Sequence, residues 1–239
     1  AGVADGRGLD KASVVLITGG ARGITARAAM ELAQRSGCTL ELVGRSPLPE
    51  DTEPAETSAA ADEVSLKRTL AAAHPESTPA ELGAEARRIL AAREVRSTLV
   101  HLKENGARVT YNSLDVRDDD AFGALVDDIY TRHGRLDGVI HGAGVVEDKL
   151  LIHKSSDSFD RVFDTKVCGA LTLARTLRED IGFVIFFSSI SSTFGNRGQA
   201  DYAAANDVLD KLAHHMNGRL AGRVCSINWG PWDSAGMVS

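Results

Sequence analysis

The chain has 239 residues, of which 43% are hydrophobic, and a formal net charge of −6 at pH 7. That length suits one large α/β domain, and the apolar content excludes global disorder. The acidic balance, without a dominant basic patch, argues against nucleic acid as a partner, and no run of about 18 apolar residues is present to span a membrane.

The first apolar run, Val14 to Ile17, is too short for a secretory leader and runs straight into glycines. Cys38, Cys168 and Cys225 are odd in number, far apart and without metal-ligand spacing. Each reads as a buried thiol in a reducing compartment such as the cytoplasm, and no metal site is expected. Ala1 is not a start methionine and Gly236-Met237-Val238-Ser239 carries no stop signal, so both ends are expected to be cut from something longer.

Residues 1–12 are rich in Gly and Asp and read as linker, leaving 13–239 as the domain. Val14-Val15-Leu16-Ile17 is a continuous β-prone run, as expected for a central parallel strand covered on both faces. It leads into Thr18-Gly19-Gly20-Ala21-Arg22-Gly23-Ile24-Thr25 and a helix from about Ile24 to Gln34. Strand, glycine turn and helix is the context of a phosphate-binding turn, in which glycines let backbone N–H groups approach a pyrophosphate at a helix N-terminus. Any tight turn between strand and helix can need one glycine; here three fall within five residues.

The next strand, Thr39 to Val43, ends in Gly44-Arg45-Ser46. The end of the second strand of a dinucleotide fold faces the adenosine ribose, where an acidic side chain suits a 2′-hydroxyl and Arg suits a 2′-phosphate. Arg45, with Arg22 in the glycine turn, therefore points to NADP(H), because guanidinium forks match phosphate geometry.

Residues 47–106 then separate the second and third strands by about sixty positions, where a crossover needs about a dozen or more. Pro47 to Ala61 reads as loop and Asp62 to Ala72 as a short helix. Thr78-Pro79-Ala80-Glu81 is a capping box with proline at the first helical position. The helix behind it carries Leu82, Ala86, Ile89, Ala92, Val95, Leu99 and Leu102 in steps of three and four, and Asn105-Gly106 ends it. This is a helical insertion expected to pack on the domain, with Arg87, Arg88, Arg93 and Lys103 on a solvated face.

Arg108 to Asn112 is the third strand, followed by Leu114-Asp115-Val116. Asp115 has two readings, a partner for an adenine amino group or a plain turn aspartate. A helix from about Asp118 to Arg132 precedes the fourth strand, which ends in His141-Gly142-Ala143-Gly144, residues small enough to let a nicotinamide ribose lie close. Phe159 to Leu177 is helical and places Lys166 among Val162, Phe163, Val167 and Leu171. Val184 to Phe187 is a buried strand, and Ser188-Ser189-Ile190-Ser191-Ser192 and a glycine-containing loop follow it. A helix from near Gln199 to about Leu220 presents Tyr202 and Asn206 on one face, and Arg223 to Asn228 forms a last strand.

Together these pieces resemble the short-chain dehydrogenase/reductase superfamily and, within it, the ketoreductase domains of polyketide synthases. The resemblance covers roughly residues 13–235. It rests on Thr18-Gly19-Gly20-Ala21-Arg22-Gly23, Leu114-Asp115-Val116, His141-Gly142-Ala143-Gly144, Lys166-Val167-Cys168-Gly169-Ala170 and Phe187-Ser188-Ser189. Ordinary superfamily members carry lysine four residues after the catalytic tyrosine; here that place holds Asn206 and the lysine stands upstream as Lys166, as in ketoreductase domains of polyketide and animal-type fatty acid synthases. The insertion, with Ala92-Arg93-Glu94-Val95-Arg96, is similar to that of iterative enediyne-polyene and polyunsaturated fatty acid synthases. Thr25 departs from the family, standing where many relatives have glycine.

The resemblance implies a doubly wound, Rossmann-like parallel sheet and reduction of a β-ketoacyl chain held on an acyl carrier domain by phosphopantetheine, with other domains of the same synthase as neighbours. It implies Tyr202 as proton donor, Ser189 as donor to the carbonyl oxygen, Lys166 lowering the tyrosine pKa, and Asn206 holding a water or Lys166 in a proton relay. NADPH would be seated by Thr18, Gly19, Gly20, Arg22, Gly23, Ile24, Gly44, Arg45, Ser46, Asp115, Val116, His141, Gly142, Ala143 and Gly144, with Lys166 and Tyr202 at its nicotinamide end. Relatives giving a D-hydroxyl carry Leu-Asp-Asp where this chain has Val146-Glu147-Asp148, and those giving the L-hydroxyl carry Trp where this chain has Phe194. The retained Asp148 implies a D product. The alternatives are a free-standing carrier-protein or small-ketone reductase and a catalytically silent structural domain.

Overall fold

The structure is a computed structural model that describes residues 8–48 and 53–232. The expected linker therefore lies partly, and Gly236-Met237-Val238-Ser239 wholly, outside the described residues.

Chain order begins with β1 (Val14–Thr18), α1 (Gly23–Ser36) and β2 (Thr39–Gly44), then runs through α2 (Ala55–Ser58), α3 (Glu63–Ala73) and α4 (Pro79–Glu104). β3 (Arg108–Ser113), α5 (Asp119–His133), β4 (Gly138–His141) and α6 (Ser156–Thr176) follow. The described chain closes with β5 (Phe183–Ser189), α7 (Ser191–Phe194), α8 (Ala200–Met216) and β6 (Arg223–Trp229). The six strands form one all-parallel sheet in the order β3-β2-β1-β4-β5-β6. The order reverses at β1–β4, the switch point that opens a crevice at the carboxyl ends of the strands.

β1 shows why the sheet is continuous and apolar. Val14 and Leu16 enter the core formed with α5, α6 and α8, through residues such as Phe122, Leu173 and Leu209. Val15 and Ile17 enter the opposite core, formed with Ala29 and Ala33 of α1 and with Val95 and Leu102 of α4. A strand of period 2 with helices on both faces must be apolar at every position.

The inserted helices pack as the sequence predicts, with instructive differences. Capping boxes at Asp62/Ser65 and Thr78/Glu81 start α3 and α4. Leu66, Leu70, Ala86 and Ile89 form a small core between these two helices, while the far half of α4 packs on the sheet. Arg93 does not lie on a solvated face. Its guanidinium pairs with Glu53 at 2.8 Å and donates to the carbonyls of Thr57 and Ala60, clamping the preceding segment to α4. That segment, expected to be all loop, contains α2. The polar run after β5 likewise contains a single helical turn, α7, and α8 stops at Met216 rather than Leu220. Of the three cysteines only Cys38 is buried; Cys168 and Cys225 are half-buried.

Candidate active site

A cavity of about 1560 Å³ opens at the carboxyl ends of the strands, where the sheet order reverses. Its wall runs from the glycine turn and the end of β2, past Gly142-Ala143-Gly144, to Lys166, Ser189 and Tyr202.

The wall at the glycine turn depends on missing side chains. Gly19 has φ +72°, and a Cβ there would lie 2.9 Å from the Gly142 carbonyl oxygen. On its other side, a Cβ on Gly142 would lie 2.4 Å from Thr25 Oγ1. The threonine that replaces the common glycine is therefore accommodated: Thr25 is buried and fills the space beside Gly142. Glycine turn and strand end thus touch backbone to backbone, as a dinucleotide cradle requires.

Thr18, Gly20 and His141 stand behind that wall. His141 is fully buried; its Nδ1 lies 2.8 Å from Thr18 Oγ1 and its Nε2 2.8 Å from the Lys166 carbonyl oxygen. Burial pushes the imidazole pKa down to about 4, so the ring is neutral. Thr18 Oγ1 also accepts from Ala143 N–H at 3.2 Å. These residues hold the strand ends and α6 together rather than lining the cavity. Asp115 is also off the wall, paired with Arg117 at 2.7 Å, whereas its neighbours Leu114 and Val116 line it. Gly19, Arg22, Gly23, Ile24, Gly44, Arg45, Ser46 and the 142–144 backbone all line it.

At the other end, β5 carries Ser189 to its carboxyl terminus, α6 projects Lys166 and the first turn of α8 projects Tyr202. Lys166 is 2% exposed and its Nζ donates to the Phe187 carbonyl at 2.8 Å. Burial pulls its pKa down to about 8, partly opposed by the Asp210 carboxylate. The ammonium stands 5.5 Å from the Tyr202 ring centroid, a cation facing an aromatic ring.

The sequence reading expects Lys166 to lower the Tyr202 pKa, and the structure differs. Burial is the largest influence on Tyr202 and raises its pKa, while the side chains of Asn206 and Ser189 pull it down. The lysine faces the ring and donates to a main-chain carbonyl, and it is not among the influences on the Tyr202 hydroxyl. A phenol held above its usual pKa remains protonated at neutral pH, the state a proton donor needs.

Asn206 is fully buried. Its Nδ2 donates to the Tyr202 main-chain oxygen at 2.7 Å, and its Oδ1 has no protein partner. A buried acceptor without a partner suits an ordered water.

Two features gave no sequence signal. Lys154 and Asp201 form an ion pair at 2.5 Å with both side chains 1% exposed. Lys154 Nζ also donates to the Glu147 carbonyl, and Asp201 Oδ1 accepts from Tyr202 N–H. The pair fastens the loop after β4 to the residue before the tyrosine. In that loop Glu147 accepts from Arg161 and from Ser158 Oγ, Asp148 accepts from Gln199 at 3.1 Å, and Phe194 nearby is 82% exposed. The second feature is Glu94 of α4, which reaches the glycine turn.

An all-parallel doubly wound sheet with its crevice at the β1–β4 switch point is the Rossmann-like fold of the short-chain dehydrogenases and reductases. Within that class the chain belongs to the KR domain family, whose family model matches residues 13–234. It is 35% identical, over 98% of its length, to one of the subunits of the polyunsaturated fatty acid synthase of Thraustochytrium sp.. It is 32% identical, over 94% of its length, to the polyketide synthase PksN of Bacillus subtilis. The matches cover only 9% and 3% of those proteins. Among solved structures, a ketoreductase domain from the bacillaene assembly line superposes with a TM-score of 0.73 at 33% identity, covering 95% of this chain and 46% of that one. The first module ketoreductase of phoslactomycin biosynthesis from Streptomyces sp. HK803 gives 0.72 at 27% identity, covering 95% and 43%.

Proposed function

We propose that this chain is the β-ketoacyl reductase domain of an iterative synthase. In this reading it uses NADPH to reduce the β-keto group of an intermediate tethered to an acyl carrier domain, giving a 3-hydroxyacyl thioester of D configuration. The observation that carries the proposal is the gathering of Ser189, Tyr202 and Lys166 at one end of a cavity whose other end is the glycine turn with Arg22 and Arg45. Membership of the KR domain family and the likeness to polyketide and polyunsaturated fatty acid synthases support it. So does the close approach of the glycine turn to the end of β4, where a side chain at Gly19 would collide with the Gly142 backbone and one at Gly142 with Thr25. The free cysteines Cys38, Cys168 and Cys225 suit a reducing compartment such as the cytoplasm.

Bound NADPH would supply the hydride. The Ser189 hydroxyl donates to the ketone oxygen as negative charge develops there. Tyr202, a phenol that is protonated at neutral pH, delivers the proton to that oxygen. Lys166, whose pKa of about 8 leaves it mostly charged at neutral pH, faces the resulting phenolate. The unpartnered Asn206 Oδ1 holds the water through which the tyrosine is reprotonated. Arg22 and Arg45 take the 2′-phosphate. The D assignment rests on Asp148, which meets Gln199 at the rim where the pantetheine arm would pass; only a few kcal/mol separate the two faces of a ketone, each 1.4 being tenfold.

The test is NADPH oxidation with a β-ketoacyl thioester or trans-1-decalone, followed by chiral chromatography of the product from a carrier-bound substrate. Unmutated protein should turn over to the D product, and Tyr202→Phe should abolish turnover while still binding NADPH. Near-normal turnover by Tyr202→Phe would sink the assignment, and a predominantly L product would refute the weight given to Asp148.

A further inference from the structure

We propose that Glu94, on the insertion helix α4, occupies the anion seat of the glycine turn in place of a cofactor phosphate and thereby sets how tightly the domain binds its dinucleotide. The inference rests on the NADPH reading above. Glu94 Oε2 accepts from Arg22 Nε at 2.8 Å, and Oε1 accepts from Gly23 N–H at 2.8 Å. Gly23 is the first residue of α1, so its N–H is among the donors that no intrahelical carbonyl can satisfy. α1 has no side-chain cap and no acidic residue in its own first turn. The carboxylate that complements this helix end comes from 71 residues away.

A guanidinium and a helix-start N–H converging on two oxygens of one anion is the arrangement that receives phosphate. Arg22, Gly23 and Glu94 all line the cavity. A phosphate approaching Arg22 must therefore either displace the carboxylate or sit beside its negative charge.

Glu94 is not required to anchor α4. Val95 and Leu102 bury the helix on the sheet, and Arg93 and Arg87 tie it to Glu53 and Glu63. The Arg22 and Glu94 side chains are 52% and 43% exposed, so the pair is weak and the carboxylate can turn to solvent without moving the helix. Displacing an exposed ion pair costs a factor of about three to five in an equilibrium. The insertion thus supplies a displaceable competitor for the cofactor.

The experiment compares dissociation constants of NADPH, NADH and adenosine 2′,5′-bisphosphate for the unmutated domain, Glu94→Gln, and Glu94→Gln in an Arg22→Ala background. Fluorescence or calorimetric titration would be used, with circular dichroism and melting temperature as fold controls. Glu94→Gln should bind NADPH about three- to fivefold tighter. A gain confined to NADPH and the bisphosphate assigns the seat to the 2′-phosphate, and an equal gain with NADH assigns it to the pyrophosphate. Either gain should shrink without Arg22, because only the Gly23 N–H then remains for carboxylate and phosphate to share. Unchanged or weaker binding of all three probes by a folded Glu94→Gln, with the unmutated domain binding normally, overturns the inference alone. Failure of the unmutated domain to bind either nicotinamide cofactor overturns the functional reading, and this inference with it.

Discussion

At the β5–α8 end of the cavity Lys166, Tyr202 and Asn206 are buried, and the lysine and asparagine are held by the main-chain carbonyls of Phe187 and Tyr202. At the glycine-turn end Arg45 is exposed, and Arg22 and Glu94 meet as a half-exposed pair. The buried end is positioned by the core, so its groups cannot relax when a partner is lost. The exposed end is positioned by water-accessible charges that can rearrange. Substitutions should therefore cost far more at the first end than at the second, and their effects should divide between catalysis and fold on one side and cofactor affinity on the other.

The largest effect should come from the buried pair behind the tyrosine. Lys154→Met strands the Asp201 carboxylate in the interior and should lower unfolding stability by about 3–5 kcal/mol. Lys154→Met with Asp201→Asn should recover much of that loss, and denaturant unfolding of the three proteins measures it. A loss no greater than that from Arg22→Gln at the exposed end would break the comparison. Next is Ser189→Ala, expected to reduce kcat by about 10²–10³ with an unaltered NADPH dissociation constant, the scale for one donor to a developing oxyanion. Steady-state kinetics with direct cofactor titration separates the two quantities. At the exposed end Arg45→Ala should weaken NADPH binding roughly tenfold and leave NADH almost unchanged, the range of one charge-assisted contact. Equal affinity of the unmutated domain for the two cofactors would refute it.

The smallest effect is electrostatic and sharpens the comparison at the rim. Hydrogen bonds from Arg161 and Ser158 hold the Glu147 carboxyl down at about 2, against an ordinary value of 4.5. A carboxylate with a depressed folded pKa contributes its full stabilisation above the unfolded value and loses it as pH falls from about 4.5 towards 2. Arg161 is 47% exposed, so the contribution is at most about 1 kcal/mol, or 2–4 °C in melting temperature for a chain of this size. Glu147→Gln should show that deficit at pH 6, and the difference should close as the pH approaches 2. A deficit that is constant with pH would mean that Glu147 acts by packing rather than by charge.

The strand and helix positions were legible because each was announced locally. Val14-Val15-Leu16-Ile17 is apolar at successive positions, Thr18-Gly19-Gly20 turns the chain, and Thr78-Pro79-Ala80-Glu81 caps α4 within four residues. Tyr202 and Asn206 were legible for the same reason, one helical turn apart. The helical turn α7 was missed because its four residues have no periodicity to read.

Sequence alone thus determined the fold class, the strand–turn–helix units at the two ends of the site, and the residue types gathered there. Their chemistry is carried by short stretches whose patterning depends on near neighbours. Only the tertiary structure decided what those residues meet. It turned Lys166 towards Phe187 instead of the Tyr202 hydroxyl, placed Thr18 and His141 behind the cavity wall, and paired Lys154 with Asp201 and Arg22 with Glu94. These contacts join residues 21 to 123 positions apart. No local pattern encodes such pairs, because burial and charge pairing arise only once the helices have closed on the sheet.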